Sequence, residues 1–142
     1  MAAPKTHNSN EISVSFANLS LDSGRADGDF VTTEFNSELY TSKVGADGEL
    51  TRSKTNDFSA KITIKLMSTS QGHKILLGLY NAARAEPNGG DLAPFQLRDR
   101  NGGLVEHAET AWIEKAPANA FGKEVGEREW ILATDVLVRD VE

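Results

Sequence analysis

The chain has 142 residues, a formal net charge of -6 and no cysteine. The missing cysteines exclude a disulfide scaffold, a thiolate metal site and a thiol nucleophile. An acidic balance of 21 Asp and Glu against 15 Lys and Arg argues against tight gripping of a phosphate backbone.

The first ten residues are polar and predict a flexible N-terminal segment, 1–10, ahead of a single β-domain, 11–142. They hold no apolar stretch, so no secretory leader is expected, and the longest apolar run, Ile75 to Tyr80, is far short of the ~20 residues a membrane span needs. Ile12, Val14 and Phe16 alternate with Ser13 and Ser15, the period of a half-buried strand. Leu19 and Leu21 break the phase and predict a bulge or bend at Ala17-Asn18. A loop with two glycines, 22–28, leads to a second strand through Phe30, Thr32 and Glu34.

Two polar strands, Leu39 to Val44 and Leu50 to Thr55, flank Gly45-Ala-Asp-Gly48, a tight-turn signature. Together they predict a long hairpin arm, 39–56, polar on both faces. No apolar core explains it, so solvent or a partner must lie against it. Phe58, Ala60, Ile62, Ile64 and Leu66 then alternate with Ser59, Lys61, Thr63 and Lys65, which predicts a strand with its even face in the core.

The spacing of Ile75, Leu76, Leu79, Tyr80 and Ala83 predicts a helix over about 70–84, capped by Thr69 or Ser70. Gly72 and Gly78 weaken it, so packing against a sheet must hold it. Ala93 to Arg98 and Leu104 to Lys115 flank a turn at 99–103. A loop from Pro117 to Gly126 contains Phe121, and Glu129 to Val138 predicts the last strand. The order implies a mainly β fold: a β-sandwich or barrel with one flanking α-helix and an extended hairpin arm.

No catalytic constellation emerges. His7, His73 and His107 share no spacing that would bring them together, and they read as surface or interface residues. Residues 45–48 lack the Gly-Lys-Ser/Thr ending of a phosphate loop. Asp27-Gly28 has the look of a calcium loop, but Ser23 and Arg25 stand where carboxylates are needed. Asn18-Leu19-Ser20 matches a glycosylation triplet by pattern alone. Glu106 and Glu109 fall on opposite faces of one strand, so they do not form a carboxylate pair. No enzyme, cofactor or metal is expected. The acidic surplus suits solubility, or repulsion of a polyanion that must slide past.

Several local patterns, in order, are similar to the tail tube proteins of contractile-tailed bacteriophages. They are Gly45-Ala-Asp-Gly-Glu49, Lys61-Ile-Thr-Ile-Lys-Leu66 with Ser68-Thr-Ser70, and Leu76-Leu-Gly-Leu-Tyr-Asn81. Ala111-Trp-Ile-Glu-Lys-Ala-Pro117 and Glu129-Trp-Ile-Leu132 complete the set. The likeness covers roughly residues 11 to 138. One departure is that Ile131-Leu132 follows Trp130 where an aromatic residue is expected two places on.

This resemblance implies a structural virion protein, made late and assembled in the host bacterial cytoplasm. Its homohexameric rings stack helically into the inner tube of a contractile tail, the route of genome ejection through the host cell envelope into the host cell. The implied partners are further copies of the chain, the sheath outside, and the baseplate and tail terminator at the ends. The tape-measure protein and then double-stranded DNA occupy the lumen, without membrane insertion. Contacts between copies are expected from the arm, through Leu39, Tyr40, Val44, Asp47, Glu49, Leu50, Arg52 and Lys54. Glu34, Lys61, Lys65, Glu106 and Glu109 are the lumen-facing candidates, with the two lysines suited to pairing with carboxylates of a neighbouring copy. By analogy with the family, four strands from each of six copies close an inner barrel. At ~4.8 Å per strand and a tilt of about 40° its backbone circle is roughly 48 Å across, wide enough for duplex DNA.

Two alternatives carry different functions. The inner tube of a phage-derived injection or secretion system would conduct an effector instead of DNA. A small carbohydrate-binding β-domain would need exposed aromatic residues, yet Trp112 and Trp130 both fall in strands that read as core.

Overall fold

The computed structural model describes residues 4–8, 11–22, 24–26 and 29–141. Part of the expected flexible segment (1–3 and 9–10) and three positions of the calcium-like loop (23, 27 and 28) lie outside the described residues. The Ser/apolar alternation forms β1 (Ile12–Phe16) with Val14 and Phe16 buried. The phase break behind it is a two-residue hairpin. Ala17 and Asn18 both take positive φ, 55° and 63°, and turn the chain into β2 (Leu19–Ser20) with Phe16 opposite Leu19.

The remaining strands are β3 (Val31–Phe35), β4 (Tyr40–Val44), β5 (Leu50–Lys54), β6 (Ala60–Met67), β7 (Ala93–Asp99), β8 (Leu104–Lys115), β9 (Glu127–Thr134) and β10 (Val138–Val141). All but β4 and β5 join one antiparallel sheet in the order β2-β1-β7-β8-β9-β6-β3, with β10 paired to β8. The long β8 organises it. Its first part pairs with β7 on one side and β10 on the other, and its second part pairs with β9. The sheet curls so that the inward faces of β1, β7, β8, β9 and β6 share one apolar core, including Phe16, Phe95, Ala108, Trp130 and Ile62.

The helix α1 (Gln71–Ala85) covers this core at the end where β6 finishes. Ser70 caps it by accepting from the His73 amide at 2.9 Å. Leu76 is fully buried, and Gly72 lies so close to β6 that a Cβ there would sit 3.1 Å from Leu66 Cδ1. Packing therefore explains a glycine that helix propensity disfavours.

Three expectations are corrected. The last strand is not continuous: β9 ends at Thr134 and β10 begins at Val138. Asp135 Oδ1 accepts from Thr110 Oγ1 at 2.6 Å and from the Val136 amide at 2.9 Å, so local side-chain bonds replace the ladder. The register with β8 resumes beyond it, Thr134 opposite Ala111 and Val138 opposite His107. Phe58 precedes β6 and stays 41% exposed, because Ala60 is the first residue of that face to reach the core. Trp112 is only half-buried on the outward face, where its indole N–H donates to Glu114 at 2.7 Å, whereas Trp130 is fully buried.

Candidate assembly interface

The arm is a separate two-stranded sheet, β4 against β5, with Tyr40 opposite Lys54 and Val44 opposite Leu50. The ladder, its turn and one stacked side chain hold it. Gly45 donates to the Glu49 carbonyl at 2.8 Å, Gly48 takes φ +87°, and Asp47 Oδ1 accepts from the Glu49 amide at 3.1 Å. The Arg52 guanidinium lies 4.3 Å from the Tyr40 ring centroid. Apart from the half-buried Tyr40, every residue of both strands is exposed. The tip presents Val44 and Leu50 side by side with Asp47 and Glu49, and the stem carries Arg52 and Lys54. Leu39 stands exposed at the base.

The lumen candidates separate into three groups. Glu34, Lys61 and Lys65 share the outward face of β3, β6 and β9 with Glu127 and Glu129. On that face the register places Glu34 opposite Lys61 and Glu129 opposite Lys65, so each lysine has a carboxylate of its own chain as cross-strand neighbour. Glu109 lies on the outward face of β8.

Glu106 is a correction: it is 4% exposed and cannot line an open surface. It occupies an inward position of β8, where Arg139 Nε donates to its Oε1 at 3.1 Å. The other end of Arg139 donates to the Thr33 carbonyl and hydroxyl at 3.3 and 3.1 Å and lies 5.0 Å from the Phe35 ring centroid. One arginine thus ties β10 to β3, two strands that share no ladder.

Two further surfaces are not predicted as such from the sequence, although Leu39 in one is an expected contact and His73 in the other an expected surface or interface residue. The first is a groove between α1 and the 117–126 loop. In it the Trp130 indole donates to His73 Nδ1 at 3.0 Å, and Tyr80 packs edge-on to Trp130. Burial, and then the positive charge of Arg128, hold the His73 imidazole below the usual histidine range. Arg128 is itself buried. It donates to the Glu127 and Ala120 carbonyls at 3.1 Å each and lies 5.4 Å from the Phe121 ring centroid, while Phe121 is 88% exposed.

The second is an apolar pocket of about 260 Å³ at the foot of the arm, lined by Phe35, Leu39 and Phe58 with Ser37, Thr55 and Asp57. Asp57 braces its rim, accepting from Ser37 Oγ and Ser59 Oγ at 2.6 Å each. Those hydrogen bonds hold its carboxyl below the usual carboxylate range. Among the described residues no group of three or more His, Asp or Glu could hold a metal ion, and no helix is long and apolar enough to cross a membrane.

Comparison with known proteins gives a consistent result. Residues 8–138 match the profile of the bacteriophage PhiTE tail tube protein family. Structural protein ORF10 of Pseudomonas phage KPP10 is 24% identical over 110 residues, covering 78% of this chain and 64% of that protein. The chain thus spans less than two thirds of this relative's length. In fold, the anti-feeding prophage tube-terminating cap is similar with a TM-score of 0.66 at 10% identity, over 100% of this chain and 95% of that one. A chain of the PVC sheath-tube complex, an extracellular contractile injection system, gives 0.62 at 12% identity over 96% and 93%. A chain of the PVC sheath/tube terminator gives 0.63 at 12% identity over 99% and 100%.

Proposed function

The chain belongs to the bacteriophage PhiTE tail tube protein family, and from that premise we propose that it forms hexameric rings that stack helically into the inner tube of a contractile tail. Its role is that of a structural tail tube protein, and its place is the virion tail. The observation that carries the ring-and-stack reading is the arm. A hairpin exposed along both strands, with Leu39, Val44 and Leu50 in solvent, gains nothing from its own chain. Contacts through Leu39, Tyr40, Val44, Asp47, Glu49, Leu50, Arg52 and Lys54 to neighbouring copies give it a reason to exist.

The bore is assigned to the outward face of β3, β6, β9 and the second part of β8, four adjacent strands per copy. On β3, β6 and β9 that face carries Glu34, Glu127 and Glu129 against Lys61 and Lys65, and both lysines stand beside carboxylates. On these three strands DNA would meet a mildly acidic wall whose lysines are each set beside a carboxylate. The conduit is passive, and closing the inner sheet between copies removes its exposed edges. The sheath binds outside, the tape-measure protein precedes DNA in the lumen, and the baseplate and terminator cap the ends.

A second reading, conduction of an effector by a phage-derived injection machine, draws on the fold likeness to injection-system chains. Neighbouring genes separate the two, since a capsid and terminase mark a phage. Negative-stain microscopy of the purified protein tests the common core. Rings or hollow tubes roughly 80–100 Å wide are expected from the inner circle plus the thickness of a packed sheet layer. A protein that stays monomeric at high concentration would refute it.

A further inference from the structure

Phe121 and the Phe35–Leu39–Phe58 pocket form a matched pair that one copy cannot satisfy by itself. Phe121 is 88% exposed, yet its loop is anchored: Arg128 holds the Ala120 carbonyl and lies against the ring, and Ser68 donates to the Gly126 carbonyl at 2.8 Å. A large aromatic side chain displayed on an anchored loop is the form taken by an interface anchor. The pocket is of the right kind to receive it. A benzene ring fits a cavity of about 150 Å³, so 260 Å³ walled by two phenylalanines and a leucine accommodates a benzyl group. Asp57, braced by Ser37 and Ser59, keeps the pocket formed before anything enters.

Placement and charge point the same way. The pocket adjoins the start of β6, where Phe35 lies opposite Ala60, and the 117–126 loop adjoins its end, where Ser68 follows Met67. Seven residues of strand rise separate them, ~23 Å. Among the described residues, the charged groups lining the groove beside Phe121 are Arg84 and Arg128, and the charged group lining the pocket is Asp57. A cation-backed ring therefore faces an anion-rimmed cavity. A knob at one end of a molecule and its socket at the other give a head-to-tail contact, which repeats from copy to copy.

We propose that Phe121 of one copy inserts into the Phe35–Leu39–Phe58 pocket of the next copy in the assembly, an inference that rests on the tail tube reading. The cysteine-free chain makes the test clean. Phe121→Cys and Leu39→Cys proteins, mixed, assembled and mildly oxidised, should give a disulfide-linked heterodimer. The double variant should give a ladder of oligomers on a non-reducing gel. Phe121→Ala should raise the concentration needed for tube formation by about ten- to a hundredfold, the effect of leaving one phenylalanine unburied. Its melting temperature should not change, because the side chain is exposed in the free chain.

Cross-links only between two copies of Cys-substituted position 121, or no cross-links in assembled tubes, would overturn the contact. So would tubes of Phe121→Ala at the wild-type concentration, while leaving the tube reading intact. A wild-type protein that forms neither rings nor tubes overturns both.

Discussion

Glu106 sits where the alternation of β8 calls for an apolar side chain, and Arg139 makes that position tolerable. The pair is lopsided: the carboxylate is buried, with Oε2 left without a hydrogen-bond partner, while the arginine side chain is 42% exposed. Removing one member of a buried pair leaves an uncompensated charge. Arg139→Ala should therefore cost about 2–3 kcal/mol in urea denaturation, less than for a fully buried pair because Arg139 is partly solvated. Adding Glu106→Leu should recover most of that loss. A single-variant cost inside the error of the fit would dismiss the clasp. His73 offers a pH test. Its folded pKa lies below the unfolded value, because burial and Arg128 disfavour the imidazolium. Stability is then fully present above pH ~6.5 and falls as pH drops through the window between the unfolded and folded pKa values. His73→Asn, whose amide carbonyl can still accept from Trp130, should flatten the melting temperature between pH 5 and 7, and an unchanged slope would assign the acid sensitivity elsewhere.

Element by element, the fold divides into a body that packs and an arm that does not. Gly24 and Arg25 show how tightly the body is built. Gly24 takes φ +67°, its carbonyl accepts from the Met67 amide at 2.7 Å, and a Cβ there would lie 2.1 Å from Ser70 Cβ. Only glycine lets the backbone at position 24 rest on Ser70 at the start of α1. Arg25 reinforces it, donating to the Ile12 carbonyl and stacking 4.3 Å from the Phe30 ring centroid. The arm contributes nothing comparable, since its ladder is its own and both strands face solvent. Replacing residues 40–54 with a short Gly-Ser linker should shift the melting temperature by less than about 4 °C, the scale of a 1 kcal/mol change in a domain of this size. The same variant should fail to form tubes. A replaced arm that abolishes cooperative unfolding would show that it supports the body, contrary to its exposure.

At the scale of the whole molecule, each end of the body carries a different device. The arm and the apolar pocket lie near the start of β6, and α1 with the Phe121 loop lies near its end. Unlike ends favour heterologous contacts, which close into rings or extend into tubes according to the rotation between copies. The outward faces of the sheet differ as well. The β3-β6-β9 side balances glutamates against in-register lysines, and Glu109 and His107 lie apart from it on β8.

Period-two patterning was enough to fix most strands, because a half-buried strand writes its inward face directly into alternate residues, as Ile62, Ile64 and Leu66 do. The helix, a cap at Thr69 or Ser70 and the polar arm were legible for the same local reason, the structure choosing Ser70, and the ordered local patterns pointed to the tail tube family. The break at Asp135 was hidden, since no glycine or proline marks it and the Thr110 hydroxyl that helps to hold it comes from a neighbouring strand. Phe58 and Glu106 misled for one reason: alternation tells which face a side chain takes, not whether anything covers that face. Coverage is a property of neighbours distant in sequence. Tertiary structure alone set Arg139 across the seam, Arg128 behind Phe121, and an apolar pocket some 23 Å of strand away.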